Sequence, residues 1–336
     1  MVREALLWER LSEDRVACGL CAHRCRIEPG RRGLCGVREN RAGALVSLVW
    51  GAVIAENVDP IEKKPLFHVL PGTRSFSIAT AGCNFRCSFC QNHDISQMPR
   101  EEGRIVGRPR TPEAVVEMAL ASRSRSISYT YTEPTVYFEF ACDTARIAAG
   151  QGLKNVFVTN GYMTPEALET IAPHLHAANV DLKSFRDDFY RRQCGARLQP
   201  VMESLGKMKA LGIWVEVTTL LIPGLNDSEE ELAGLAAFVA SLGAETPWHI
   251  SRFHPRYRMT GVRPTSSEAI HRAAEIGRAA GLKYVYSGNI PGDPGENTFC
   301  WHCGRLLIGR CGFAIERLDL AGPACPGCGT RLDGIF

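Results

Sequence analysis

The chain has 336 residues, of which 45% are apolar and 22% charged, and a formal net charge of +3. This composition excludes low-complexity disorder and fits a globular protein, and so small a charge does not point to nucleic acid. The opening Met1–Leu11 is amphipathic and carries acids, unlike a signal peptide, and no apolar run reaches membrane-spanning length. A cytoplasmic protein without a membrane partner is expected.

In chain order, the first segment sets Cys18, Cys21, Cys25 and Cys35 among Gly and Arg residues. Its apolar content is too low for a core of its own, so it reads as a small metal-stapled or loop-rich lobe. Residues 41–58 contain one strand-like run, ALVSLVWGAVIA, and residues 59–72 read as a connection. From Ser75 the pattern alternates. Strands are expected at Phe76–Thr80, Ser126–Thr130, Asn155–Thr159, Ala178–Leu182, Ile213–Leu221, Trp248–Phe253 and Lys283–Tyr286. Helices are expected at Thr111–Ser122, Val136–Gly150, Thr164–His174, Pro200–Gly212, Ser228–Leu242 and Thr265–Ala280, several opened by Pro or an acid and closed by Gly. Repeated strand–helix units imply parallel strands with right-handed crossovers. An α/β barrel fits better than a dinucleotide fold, because no Gly-x-Gly-x-x-Gly follows the first strand. The domains read as 1–72, 73–298 and 299–336.

The 14 cysteines concentrate in short-spaced sets, which read as metal ligands rather than disulfides. Cys83-x3-Cys87-x2-Cys90 follows the first barrel strand. Three thiolates in one loop can hold a four-iron cluster with one iron open, although spacing alone leaves zinc or a plain electron-transfer cluster standing. Cys18, Cys21, Cys25 and Cys35 supply four thiolates, enough for an auxiliary cluster or a zinc ion, with His23 as a lesser ligand. Cys300-x2-Cys303 and Cys325-x2-Cys328 have zinc-ribbon spacing, with Cys311 as an extra thiol nearby. The ribbon has few basic residues and no aromatic–basic interleaving, which argues against nucleic acid. Cys142 and Cys194 read as a helix-core thiol and a loop thiol.

The stretch ATAGCNFRCSFCQNHDIS, with Phe89 before the last cysteine, resembles the cluster loop of radical S-adenosylmethionine (SAM) enzymes. With CGLCAHRCRIEPGRRGLCGVREN, SYTYTEPT, VTNGYM, NVDLKSF, LIPGLND and the two C-terminal Cys pairs, the chain resembles the radical SAM member of the AmmeMemoRadiSam system, near the pyruvate formate-lyase activating enzymes. The resemblance implies a partial (β/α)6 TIM-like barrel with Cys-rich metal-binding lobes at both termini. It implies a [4Fe-4S] cluster on Cys83, Cys87 and Cys90 whose open iron chelates SAM. Reductive cleavage of SAM then gives a 5′-deoxyadenosyl radical that abstracts hydrogen from a substrate, in the activase pattern a partner protein.

By the same resemblance Phe89 lies beside the adenine and Glu133 matches the acid of a Gly-Gly-Glu element, although Thr132 replaces a glycine. Asp181 and Lys183 match an Asp-x-Lys element near the methionine. Asn160, Thr218 and His254 stand at neighbouring strand ends, with His249 the weaker histidine. Glu133 could instead cap a helix, and Asp181 and Lys183 could form a structural ion pair. The implied partners are a reductant such as ferredoxin or flavodoxin, and Memo-like and AMMECR-type proteins. A small-molecule substrate, or a non-enzymatic iron–sulfur or zinc module, are the alternatives.

Overall fold

The computed structural model describes residues 2–336. Its centre is one sheet in which seven parallel strands follow chain order: β2 (Arg74–Thr80), β3 (Ser126–Tyr129), β4 (Lys154–Thr159), β5 (Ala177–Asp181), β6 (Trp214–Leu221), β7 (Trp248–Arg252) and β8 (Val285–Gly288). β1 (Ala52–Pro60) pairs antiparallel with β2 and, on its other side, with Arg108–Pro109. Six helices make the crossovers: α1 (Pro112–Ala121), α2 (Phe138–Gly150), α3 (Pro165–Ile171), α4 (Gln199–Ala210), α5 (Glu229–Ser241) and α6 (Ser267–Ala279). The result is six β–α units and a closing strand, an open partial barrel with a mixed edge. All seven expected parallel strands and all six expected helices form.

The helix starts follow from capping. Thr111 accepts from the Ala114 amide at 3.2 Å, Thr164 from Ala167 at 3.3 Å, and Ser228 from Glu231 at 3.3 Å. Outside the sheet, apolar side chains such as Tyr129, Phe157, Phe140 and Ala148 pack into the main core. Residues in register across the sheet share a face, and this sets the barrel interior. Ser77, Ser128, Val156 and Ala177 form one row; Asp181, Thr218, His249 and Tyr286 form another.

Three expectations are corrected. The N-terminal segment is not a separate lobe. Its strands Arg3–Glu4, Ala44–Ser47 and Arg38–Arg41 form one small sheet, and Trp8–Arg10, Val16–Cys18 and Arg26–Ile27 form another. Both bury Val16, Ile27, Val37 and Leu45 in the same core as the barrel helices. A short sequence with too few apolar residues solves its burial problem by borrowing a neighbour's surface. Arg38 is salt-bridged to Glu139 of α2, with both side chains 2% exposed, and Trp50 donates to Asp143 at 2.9 Å. Next, the run ALVSLVWGAVIA is two strands, broken at Leu48–Gly51.

Finally, residues 61–70 are not merely a connection but a buried plug. Ile61, Leu66 and Val69 are fully buried against Val156 and Ala177. Glu216 on β6 receives the Phe67 and His68 amides at 3.0 and 2.9 Å, His249 Nε2 lies 2.7 Å from it, and Trp214 donates at 3.1 Å.

The C-terminal segment carries the antiparallel sheet Thr298–Phe299, Leu306–Cys311 and Ala314–Leu318. Arg310 reaches inward, donates to the Phe67 carbonyl at 3.0 Å and lies over the Phe67 ring. The tail returns to the plug, where the Leu70 amide donates to the Ile335 carbonyl at 2.7 Å. Among the described residues no helix is long and apolar enough to cross a membrane.

Candidate functional site

The loop Ala81–Asn92 leaves the carboxyl end of β2 and carries all three cysteines of the triad. At its start Gly82 has φ +106°, and a Cβ there would lie 2.7 Å from Val37, so glycine is required. The loop is fixed along its length. Arg86 and Ser88 amides donate to the carbonyls of Cys194 and Gln193, both at 2.9 Å, and the Ser88 hydroxyl meets Gln193 at 2.6 Å. Those carbonyls belong to a π-helical turn, Tyr190–Cys194, that ends at Gly195 with φ +67°. π turns often occur at functional sites. At the loop's far end, the Asn92 side chain donates to the Tyr131 carbonyl at 2.7 Å.

The strand ends of β3 to β6 converge on this loop. Asn160, just past β4, donates through Nδ2 to Asn84 at 2.7 Å and lies 3.8 Å from the Cys83 sulfur. Glu133 is buried, and its two oxygens meet four donors: the Thr135 amide at 3.0 Å, the Thr135 hydroxyl at 2.5 Å, the Thr159 hydroxyl at 2.7 Å and the Asn160 amide at 2.8 Å. It therefore caps the turn Pro134–Tyr137 and ties β3 to β4. Burial raises its carboxyl above the ordinary value, against those hydrogen bonds.

Lys183 Nζ lies 2.9 Å from Asp181 and 5.8 Å above the Phe89 ring. Burial alone would lower the Lys183 ammonium. Asp181 and the thiols of Cys87 and Cys194 outweigh it and hold Lys183 well above its usual value. The Cys87 thiol is raised by contact with Cys194 and by burial. Phe89 is buried against Phe189, whereas the Asp181 side chain remains 37% exposed at the mouth.

Thr218 shares a face with Asp181 and His249, and its buried hydroxyl has no partner among the described residues. Ser77 Oγ and Asn179 Oδ1, in the barrel interior, are likewise unpartnered. Buried polar atoms left without partners call for a polar ligand or ordered water, so these two hydroxyls and one amide oxygen fit a bound polar cofactor. His254 is exposed in the loop after β7. That loop reaches the triad through the Arg258 amide, which donates to the Ser88 carbonyl at 3.0 Å. His249 is not at the mouth but in the buried Glu216 network.

Sequence reading missed Cys194, which is a fully buried neighbour of Cys87 and not a loop thiol. No short-range spacing links the two. At the C-terminus Cys300, Cys303, Cys325 and Cys328 converge, with all four sulfurs within 4.8 Å of one another, and exposed Cys311 lies outside the set. Cys18, Cys21, Cys25 and Cys35 surround a small cavity beside Thr135 and Val136.

The sequence profile of the Radical SAM superfamily matches residues 77–236. An uncharacterised protein of Methanocaldococcus jannaschii is 48% identical over 338 aligned residues, covering 100% of both chains. The pyruvate formate-lyase-activating enzyme of Clostridium pasteurianum is 26% identical over 51% of this chain and 71% of its own. Among solved structures, Streptococcus suis SuiB bound to S-adenosylmethionine superposes with a TM-score of 0.52 at 13% identity, covering 73% of this chain and 58% of that one. That likeness speaks for the fold. The profile spans β2 to α5, which carry the cysteine loop and the strand ends gathered around it, and the chain belongs to the radical SAM superfamily of enzymes, which cleave SAM reductively to generate a radical.

Proposed function

We propose that Cys83, Cys87 and Cys90 hold a [4Fe-4S] cluster, that SAM binds over it at the barrel mouth, and that the substrate is a residue of a partner protein. When bound, the cluster and SAM together supply one-electron cleavage of the C5′–S bond and the means to take hydrogen from carbon. The observation that carries this reading is the convergence of Cys87, Phe89 and Asp181 on Lys183 at the strand ends.

The chain's own residues have distinct tasks. Asp181 and Lys183 face the charged methionine end, and Phe89 offers an apolar surface to the adenine. Glu133 already has four donors, so it acts chiefly by fixing the Asn160 amide and the turn beside the triad. Asn160 steadies Cys83, Thr218 offers a free hydroxyl, and His254 stands at the rim. Burial of Phe85 and Phe89 keeps water from the loop.

The lower end of the barrel is filled by Phe67, His68 and Arg310, so a substrate approaches from the mouth. This favours an exposed segment of another protein. The matching motifs support membership of the AmmeMemoRadiSam system, with Memo-like or AMMECR-type proteins as substrates and a ferredoxin or flavodoxin as reductant. The compact ribbon sulfurs suit zinc, whose four ligands sit at the corners of a tetrahedron. The reduced thiol sets agree with a cytoplasmic setting. A second reading, a small polar substrate, is favoured by the unpartnered Ser77 and Asn179 atoms in the interior.

The test is anaerobic reconstitution followed by dithionite and SAM. 5′-Deoxyadenosine is expected from the parent and not from Cys87→Ala. Deuterated partner protein should pass deuterium to 5′-deoxyadenosine. No 5′-deoxyadenosine from a fully loaded parent overturns the activity, and transfer only from small metabolites overturns the protein substrate.

A further inference from the structure

The N-terminal cysteines have no part in the function proposed above, yet they form a built site. Cys18 ends the strand Val16–Cys18, and Cys21 forms an isolated bridge with Met163, next to the loop that carries Asn160. Cys25 and Cys35 complete the set. The four thiols, with Arg38 and Val136, line one small cavity.

The three cysteine sets differ in spread. The ribbon sulfurs lie within 4.8 Å of one another, and among the described residues no other set of three or more ligand side chains is so compact. Tetrahedral zinc at a bond length of about 2.3 Å brings its sulfurs to roughly 3.8 Å from one another. A cubane places each thiolate on a different iron corner and so holds them several ångströms further apart. Neither the N-terminal set nor Cys83, Cys87 and Cys90 is drawn together as closely as the ribbon, and the four N-terminal thiols instead face a common cavity.

Arg38 is a second, independent observation. Its guanidinium is 1% exposed and lines the cavity, with Nη1 3.4 Å from the Cys18 sulfur. Nη2 donates to the Leu6 carbonyl at 2.9 Å and to Glu139. Nε is buried with no acceptor among the described residues. Glu139 neutralises one charge, but a buried N–H without an acceptor is costly. The sulfides and thiolates of a cluster are the acceptors this cavity lacks.

We infer that Cys18, Cys21, Cys25 and Cys35 bind a second four-iron cluster, with Arg38 as its buried charge and hydrogen-bond partner. The assignment takes its reference geometry from the triad and so rests on the triad holding a cluster. The second site lies one hydrogen bond from the triad loop, since His23 Nε2 meets the Asn84 carbonyl at 2.9 Å.

The experiment uses the full chain carrying Cys83→Ala, Cys87→Ala and Cys90→Ala, reconstituted anaerobically with iron and sulfide. About four irons and four sulfides per chain should remain, with a dithionite-reduced EPR signal that SAM does not alter. Arg38→Met should make the midpoint potential of that signal more negative, and Arg38→Lys should restore part of the shift. Iron-free protein with two zincs per chain overturns the inference. If the triple variant does not fold, the parent decides: about eight irons supports the second cluster and about four overturns it. Failure of SAM cleavage in the parent would sink the proposed activity while leaving the iron count of the triple variant to be read independently.

Discussion

Replacing Glu216 by Gln tests whether the barrel is closed from below by a single carboxylate. Its two oxygens serve four partners, Oε1 the His68 amide and Trp214 Nε1, and Oε2 the Phe67 amide and His249 Nε2. A glutamine keeps one accepting oxygen and turns the other into a donor. The better orientation keeps the oxygen toward His68 and Trp214. His249 can then accept from the new NH2 by changing tautomer, but the Phe67 amide cannot and is left unsatisfied. One orphaned buried donor costs about 1–3 kcal/mol. For a chain of this size that corresponds to a fall in Tm of roughly 1–4 °C. Glu216→Ala orphans all the donors and leaves a cavity, so it should cost more than Gln. The assay is thermal unfolding by circular dichroism under anaerobic conditions, with iron content matched between variants. A Gln variant that melts with the parent, or an Ala variant milder than Gln, would refute the reasoning.

Further outcomes follow from other parts of the structure. His68 is fully buried, and desolvation lowers its pKa from 6.5 to about 4. The unfolded chain therefore binds this proton first, and stability should fall as pH drops from about 6.5 to about 4 by up to about 3 kcal/mol; denaturant titrations of His68→Gln should show a shallower slope over that window. Lys183→Met removes the partner of Asp181 and should weaken SAM binding about tenfold or more, about 1.4 kcal/mol, measured by equilibrium binding at unchanged iron content. Gly195→Ala forces a side chain at φ +67° to within 2.4 Å of Arg86, and should lower the iron bound at the triad; full occupancy would show that the π turn does not support the loop. Cys300→Ser should abolish the zinc binding proposed for the ribbon, read by elemental analysis, and lower Tm through the Arg310 contact with the plug.

The parts of the fold that are visible in sequence are those whose signals are local. Thr111, Thr164 and Ser228 announce helix starts by their own side chains, and the strands between them are short apolar runs bounded by turns. The cysteine loop is legible for the same reason: its ligands lie within eight residues. What stayed hidden depends on distant register. Glu216 and His249 are 33 positions apart, and Glu216 lies 149 from Phe67. Nothing near any of them marks a shared network. The N-terminal sheets were hidden because their core is completed by α2, and Cys194 because its π turn meets the triad loop from 105 positions away, as in the Ser88–Gln193 contact. Glu133 lay between the two cases: its position was readable, but its saturation by Thr135, Thr159 and Asn160 was not.

The backbone bonds from Arg86 and Ser88 to the π turn have a consequence for how the site is loaded. They brace the cysteine loop with protein–protein hydrogen bonds that do not themselves involve a metal. The cluster proposed for this loop would meet thiols held by the protein's own bonds, with little chain entropy left to be lost on binding. The loop should resist amide exchange in the metal-free protein nearly as well as in the loaded one, so that cluster assembly is a filling of a finished mould and not a folding event.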